Sequence, residues 1–341
     1  VRERASDSYA GRQSAAARLR AMASTDSADE TCVRRLLRDE ISLGQTGDLE
    51  SQLACRRLLH QLNQLDQDER LDRLLHDTHF DGSELQGWQL FEKHAGGGYA
   101  SRLVYRDIAR ERLGIVLQDT PILDIWPDDW SIEQIPPDDT TRWATLLTVD
   151  CESVERTRSA ETLRLDVALR SIDRGPMPTR AYEQRVTTAL VSRYVATAPV
   201  DIRDRLIIAK RYHCSDQIRE DCRAILNNPI SPASHVTIAL LVASASDCFS
   251  VEIENWIDQR LTDRRTSHVW QSSTPPKATY RTRVNDVAVA LQLHRADVDP
   301  RSVGYHSLLA HPLLVFQPYS LGFQNEADRR TSRRAAMMSE E

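Results

Sequence analysis

GDLESQLACRRLLHQL, residues 47 to 62, carries the clearest helical signal of this chain. Asp48 stands where a helix N-cap is expected, because its short side chain can accept a hydrogen bond from the first turn. Apolar side chains then recur every three or four residues, which is the spacing of a helix with one buried face. These positions are Ala54, Cys55, Leu58, Leu59, Leu62 and Leu65.

Residues 8 to 22, SYAGRQSAAARLRAM, repeat this spacing 40 positions earlier. A period of about 40 residues is typical of solenoids built from paired helices. No third copy follows at the same offset, so we expect the repeats to degenerate quickly. The aligned pairs are Ser8 with Asp48, Tyr9 with Leu49, Ala15 with Cys55 and Leu19 with Leu59.

Four segments together resemble an uncharacterised group of bacterial HEAT-like helical proteins. They are residues 8 to 22, residues 47 to 62, LQGWQLFEKHAGG at 85 to 97 and RVNDVAVALQLHRADVDPRSVGY at 283 to 305. The resemblance implies an all-α fold of HEAT or armadillo-like helical hairpins, arranged as an α-solenoid or an irregular superhelix. It implies no catalytic residue.

Composition and periodicity also favour helices over sheet. Among 341 residues there are 12 glycines and only 6% aromatics, and runs of β-branched residues as long as a strand are hard to find. In the second half of the chain, apolar periodicity predicts helices at about 153 to 174, 180 to 197, 202 to 213, 215 to 227, 232 to 246, 250 to 261 and 281 to 295.

Residues 117 to 142 interrupt the helical pattern with four prolines and with seven acidic residues against Arg142. This segment marks a boundary between two helical halves. We therefore expect a HEAT-like region at 1 to 116, an acidic linker at 117 to 142, a helical region at 143 to 323 and a polar, disordered tail at 324 to 341.

Charge and cysteine usage restrict partners and location. The net charge of −6 disfavours nucleic acid as a partner, because such binding needs a positive field. The six cysteines form no close C-x-x-C pair, so we expect reduced core thiols and a cytoplasmic protein without a membrane span. The chain begins at Val1, so an exported precursor stays an alternative.

The three glycines of EKHAGGGYASR, residues 92 to 102, raise the question of a phosphate-binding loop. Tyr99 and Ala100 follow Gly98, whereas a Walker loop needs lysine and then serine or threonine. A predicted helix precedes the glycines, whereas a dinucleotide fingerprint needs a buried strand. We therefore expect a turn between packed helices, with one glycine as a left-handed C-cap.

Two further clusters contain residue types found in metal sites and in catalytic sites, but the sequence does not supply a complete site of either kind. HDTHFD, residues 76 to 81, offers His76, His79, Asp77 and Asp81, but no further ligand for zinc can be identified. His213 adjoins Cys214, with Asp216 and Cys222 nearby, yet neighbours on a helix point about 100° apart and activate one another poorly. We expect no metal, no cofactor and no catalytic residue.

The acidic linker supplies the partner-binding candidates Trp126, Trp130, Asp128 and Asp129. Tryptophan is enriched at binding hot spots, so these residues are candidates to dock into an apolar, basic groove of another protein. The alternative is that the two tryptophans fold back and fill the junction between the two halves of the chain.

Four arginines cluster near the end of the chain, and they are Arg329, Arg330, Arg333 and Arg334. Their predicted role is a solvated face of a mobile tail, and the alternative is contact with an acidic partner or with nucleic acid.

These observations favour a non-enzymatic scaffold that binds another protein, because stacked helix pairs form extended binding surfaces. One alternative is an enzyme or nucleic-acid-binding protein on a HEAT-like scaffold, such as a DNA glycosylase-like protein with Asp128 between two tryptophans. Another is a structural component of an exported or envelope complex.

Overall fold

The computed structural model describes residues 14, 17–19, 21, 27–42, 49–111, 113, 117, 132–152, 160–272 and 277–338. These residues are mostly helical, which confirms the coarse prediction of an all-α protein. The chain divides into two compact units, residues 1 to 88 and residues 89 to 341. The segment at 118 to 131, which forms most of the predicted acidic linker, lies outside the described residues.

The first unit contains helices α1 (Ser27–Ser42) and α2 (Leu49–His76), which pack against each other. The buried face of α2 is narrower than the stripe predicted for it, since Leu65 is 57% exposed. In α1, Leu36 is 45% exposed. The apolar core between the helices consists of Val33 and Leu37 from α1 and Cys55, Leu58 and Leu62 from α2.

The second unit holds most of the helices, and those predicted at 180 to 197, 202 to 213, 215 to 227, 232 to 246 and 250 to 261 are confirmed to within a few residues. The helices that follow α2 are α3 (Trp88–Ala95), α4 (Tyr99–Arg110), α5 (Thr140–Glu152), α6 (Ala160–Arg170), α7 (Ala181–Thr197), α8 (Ile202–Arg211), α9 (Ser215–Leu226), α10 (Ala233–Ser244), α11 (Glu252–Arg260), α12 (Val284–Arg295) and α13 (Glu326–Met338). Short 3-10 turns occupy Ile132–Gln134, Asp247–Phe249, Pro300–Val303 and Pro318–Leu321.

Two small antiparallel hairpins interrupt the helices, and the sequence did not predict them. Strand β1 (Thr266–Gln271) pairs with β2 (Thr279–Arg283), and β3 (Ala310–His311) pairs with β4 (Val315–Phe316). In the first hairpin Trp270 lies opposite Tyr280, and their rings stack with centroids 4.4 Å apart. Strands this short leave a weak periodic signal, so the first hairpin falls in what reads as a polar stretch.

Helix α10 is the centre of the second unit. Every residue from Val236 to Ala243 is buried, and an apolar surface on all sides is typical of a helix surrounded by others. It contacts α8, α9, α11, α12 and β1. Even so, in the described part of the chain no helix combines the length and the apolar character needed to cross a membrane.

Helix α13 corrects the prediction of a disordered tail at 324 to 341. Residues 326 to 338 are helical, and Arg329, Ser332 and Ala336 are buried. The helix carries no apolar stripe of the usual width. Its main tertiary anchor is the ion pair between Arg329 and Asp286, which lies 43 positions earlier. Such a distant charged partner leaves no periodic signal in the sequence of the helix itself.

The Leu240→Ala variant tests the central role of α10. Leu240 is fully buried, so we expect its truncation to leave a cavity and to lower the free energy of unfolding by about 2 to 5 kcal/mol. Val251→Ala is the control, since Val251 is 83% exposed and its loss should change stability by no more than about 0.5 kcal/mol. Urea unfolding followed by circular dichroism measures both, and equal losses would contradict the prediction.

Candidate functional site

The glycine loop between α3 and α4 is a helix terminator, as the sequence predicts. Gly96 has φ of +81°, in the left-handed region, and its amide donates to the Glu92 carbonyl at 2.8 Å. This is the C-cap conformation that glycine adopts with little strain. The two helices pack through Phe91 and Tyr105, whose ring centroids lie 5.8 Å apart.

The polar groups around this loop form hydrogen bonds within the chain. The Ser101 hydroxyl donates to the Ala95 carbonyl at 2.9 Å, and Arg102 Nε donates to the Gly97 carbonyl at 3.2 Å. The Glu92 carboxylate lies so close to Gly97 that a Cβ there would collide with it. A carboxylate in this place repels a phosphate, so the geometry favours the turn over an anion site.

Paired serine substitutions test this interpretation of the loop. Gly96→Ser forces a side chain onto a positive φ and should lower the free energy of unfolding by about 1 kcal/mol. Gly98→Ser should be neutral or slightly stabilising, because Gly98 is the N-cap of α4 with φ of −69° and serine is a favoured N-cap. Thermal unfolding compares the two, and a larger loss for Gly98→Ser would overturn the assignment.

The HDTHFD segment forms the end of α2 and two tight turns. The backbone amide of His79 donates to Asp77 Oδ1 at 2.8 Å, and that of Ser83 donates to Asp81 Oδ1 at 2.9 Å. The bond from the Ser83 amide lowers the pKa of Asp81. Across the described residues, no group of three histidine, cysteine or acidic side chains is arranged to hold a metal ion.

The buried thiols are poor nucleophiles. Cys214 is buried at the start of α9, and burial raises its pKa to about 12. Burial likewise raises the pKa of Cys151 to about 12 and that of Cys222 further. Because a thiol reacts as its thiolate, these groups serve as small apolar core residues, as predicted. Cys32 differs from that prediction, since it is exposed.

The predicted partner-binding residues Trp126, Trp130, Asp128 and Asp129 all lie outside the described residues. Their role stays a prediction.

A cluster of arginines in the second unit lines a cavity of about 290 Å³. Helix α13 supplies one edge, because positions 326, 329, 330 and 333 are spaced to share a helix face. Two further arginines come from the segment before β1 and from the last residue of β2, which is also the N-cap of α12. The lining of this arginine pocket consists of Arg264, Arg283, Glu326, Arg329, Arg330 and Arg333.

Asp286 anchors the pocket from beneath. Its carboxylate is fully buried and accepts bonds from Arg329 Nε at 3.0 and 3.2 Å and from the Arg283 amide at 2.9 Å. The Tyr305 hydroxyl donates to the Asp286 backbone carbonyl at 2.9 Å. Burial raises the pKa of Asp286, while Arg329, the Arg283 amide and Arg333 act in the opposite direction.

Glu326 is the one carboxylate in the pocket lining, and two arginines hold it. Arg329 Nη1 and Arg283 Nη2 each lie 2.6 Å from Glu326 Oε1. Desolvation raises the pKa of Glu326, but the two guanidinium groups outweigh it and lower this pKa overall. Arg329 and Arg283 are therefore engaged by carboxylates of the chain itself.

The other three arginines of the pocket have donors to spare. Arg264 and Arg330 are exposed and make no hydrogen bond or ion pair with any residue that the structure describes. Arg333 lies 3.7 Å from Asp286 Oδ1, and its buried Nε and Nη2 atoms make no hydrogen bond within the described residues. Buried donors of this kind cost free energy until an acceptor reaches them.

Sequence reasoning found only part of this pocket. It grouped Arg329, Arg330 and Arg333 with Arg334, which lies outside the lining, and it assigned all four to a solvated tail. It missed Arg264, Arg283 and the anchor Asp286. The sequence did contain one signal, since Asp286 stands inside the apolar run VNDVAVALQL. A carboxylate buried with such a run requires a cationic partner.

Comparisons of this chain with protein-family models, with curated proteins and with solved structures find no significant match.

The Asp286→Asn variant tests the anchor. Removing the charge leaves the buried Arg329 with only the half-exposed Glu326 as a counter-ion, so we expect the free energy of unfolding to fall by about 3 kcal/mol. Adding Arg329→Met removes the charge that has lost its buried partner and should recover part of that loss. The control is Glu254→Gln at the exposed pair with Arg295, expected to cost less than about 1 kcal/mol. Chemical unfolding measures all three, and equal effects would refute the anchor role.

Proposed function

We propose that this protein is a non-enzymatic binding protein, built on HEAT-like helical pairs, which receives an acidic segment of a partner protein in the arginine pocket. The observation that carries this proposal is the lining itself, in which five guanidinium groups face one carboxylate. Arginine suits such a site because its planar fork donates two parallel hydrogen bonds to a carboxylate.

The pocket charge is local, because the whole chain has a net charge of −6. A positive site on an acidic protein attracts an anionic group over short distances while the rest of the surface repels long polyanions. This distribution supports an acidic segment of a polypeptide as the ligand and disfavours nucleic acid.

The helical scaffold supports the HEAT-like part of the proposal. Helices α8, α9 and α10 pack in sequence order, with three residues between the first two and six between the next two. Short connections between packed neighbours are typical of helical hairpins. The rival hypotheses, a DNA glycosylase-like enzyme and a component of an exported complex, stay predictions.

Binding of acidic peptides tests the proposal. Fluorescence anisotropy of a labelled peptide of alternating glutamate and glycine should show saturable binding that weakens with added salt. The matched peptide with glutamine in place of glutamate should not bind. The double variant Arg264→Gln/Arg330→Gln should weaken binding at least about tenfold, since it removes two charge-assisted contacts.

Arg334→Gln is the matched control for this experiment. It makes the same kind of charge change on the same helix, but Arg334 does not line the pocket, so binding should persist. Equal loss in the control and in the double variant would show a general charge effect and would refute the pocket as the binding site. Absence of binding to the glutamate peptide would refute the proposal unless a phosphorylated peptide binds.

A further inference from the structure

We propose that the arginine pocket is selective for a phosphate monoester, carried on a side chain of the partner polypeptide. This inference rests on the proposed function, which it narrows from acidic segments in general to phosphorylated ones. The ligand chemistry is that of a tetrahedral dianion with three terminal oxygens.

The number of arginines with unused hydrogen-bond donors is the first argument. Arg264, Arg330 and Arg333 reach the cavity from two directions, the segment before β1 and one face of α13, although Arg333 also lies 3.7 Å from Asp286 Oδ1. None of the three donates a hydrogen bond to a residue that the structure describes, and the buried Nε and Nη2 of Arg333 await an acceptor. Three guanidinium groups match the three terminal oxygens of a phosphate monoester better than the two oxygens of a carboxylate.

Charge balance is the second argument. The five lining arginines are opposed by Glu326 in the lining and by Asp286 behind it. A single carboxylate ligand would leave the excess of positive charge largely in place. A phosphate monoester carries a charge of about −1.5 to −2 at neutral pH and neutralises more of it. Clusters of arginine are a recurrent means of recognising phosphorylated segments.

The size of the cavity is the third argument. Its volume of about 290 Å³ exceeds the space that a phosphate group alone fills, since one water occupies roughly 30 Å³ of liquid. The remaining space suits the side chain and backbone to which the phosphate is attached. The geometry therefore fits a phosphorylated residue better than a free inorganic anion.

Glu326 has a defined role in this arrangement. It is half-exposed and held by Arg283 and Arg329, so it remains in the lining and faces an incoming anion. Its charge opposes binding of every anion, and it opposes a dianion more than a monoanion. Replacing it by glutamine should therefore strengthen binding of a phosphate monoester, and by a larger factor than it strengthens binding of a carboxylate.

The experiment compares three blocked peptides of glycine and alanine that differ only at the central residue, which is phosphoserine, glutamate or serine. Isothermal titration calorimetry at pH 7.5 should show the phosphoserine peptide binding at least about tenfold more tightly than the glutamate peptide, because it offers more charge and one more acceptor oxygen. Inorganic phosphate and free O-phosphoserine, used as competitors, separate a small phosphorylated ligand from a phosphorylated polypeptide.

The pH dependence discriminates between the two anions. The phosphate monoester gains its second charge with a pKa near 6, whereas the glutamate peptide is ionised throughout the range from about pH 5.5 to 7.5. The pocket lining consists of arginines and Glu326, whose pKa is lowered, so the lining keeps its charge over that range. Asp286 behind the lining has a pKa raised by burial, and any change in its charge acts on the binding of both peptides. The glutamate peptide is therefore the reference, and binding of the phosphoserine peptide should strengthen several-fold relative to it as the pH rises.

Variants complete the test. Arg330→Gln and Arg264→Gln should each weaken binding of the phosphoserine peptide by about tenfold, while Arg334→Gln should leave it unchanged. Glu326→Gln should strengthen it, a gain that damage to the fold would not produce. Circular dichroism confirms that each variant is folded.

The possible results separate this inference from the proposed function. Equal binding of the glutamate and phosphoserine peptides, with the same pH dependence, would overturn phosphate selectivity and leave the proposed function standing. Binding of free O-phosphoserine more tightly than the phosphoserine peptide would overturn the polypeptide as its carrier. No binding of either charged peptide, or tighter binding of an RNA or DNA oligonucleotide, would overturn both.

Discussion

The buried carboxylate of Asp286 imposes the constraint on which the end of the second unit depends. A charge without access to water must be paired and hydrogen-bonded, and the partner here is Arg329 from a helix 43 positions further along the chain. The same guanidinium donates to the Arg281 carbonyl at 2.8 Å and lies over the Phe323 ring at 5.4 Å. One side chain thus joins β2, α12 and α13, and this charge pairing orders a helix whose sequence is too polar to be ordered by apolar burial.

The structural role and the proposed binding role of α13 arise from one helix face. That face carries Arg329, which neutralises internal carboxylates, and also Arg330 and Arg333, which keep unused donors. Arg329 and Arg283 fix Glu326 and Asp286, which sets the position of the helix. Arg330 follows on the same face and makes no hydrogen bond or ion pair among the described residues. Arg333 lies 3.7 Å from Asp286 Oδ1, but its buried Nε and Nη2 make no hydrogen bond there. The rigid pairs therefore hold the available guanidinium groups in place, and such preorganisation lowers the entropic cost of binding an anion.

Sequence patterns predicted the helices well where burial is apolar and local. The helices from Ala181–Thr197 to Glu252–Arg260 follow the periodicity of their apolar residues, and Gly96 ends its helix as expected. The first hairpin escaped prediction because its strands are short, and α13 escaped it because its ion-pair partner Asp286 lies 43 positions earlier. Arg264, Arg283 and Asp286 are separated in sequence from the arginines of α13, and only the folded chain brings them together. Residues that are distant in sequence and close only in the folded chain show no regular spacing, so periodicity cannot predict their contact.

The separation between Asp286 and Arg329 also orders events during synthesis. A ribosome adds about 5 to 20 residues per second, so the 43 positions between the two residues correspond to about 2 to 9 s of translation. During that interval the Asp286 carboxylate cannot pair with Arg329. It is either solvated or bound only by the neighbouring Arg283 amide at the start of α12. Helices α8 to α10 pack against one another and are consecutive in sequence, so they can pack earlier. Burial of Asp286 is consequently a late step in vectorial folding, and the arginine pocket forms only when that step is complete.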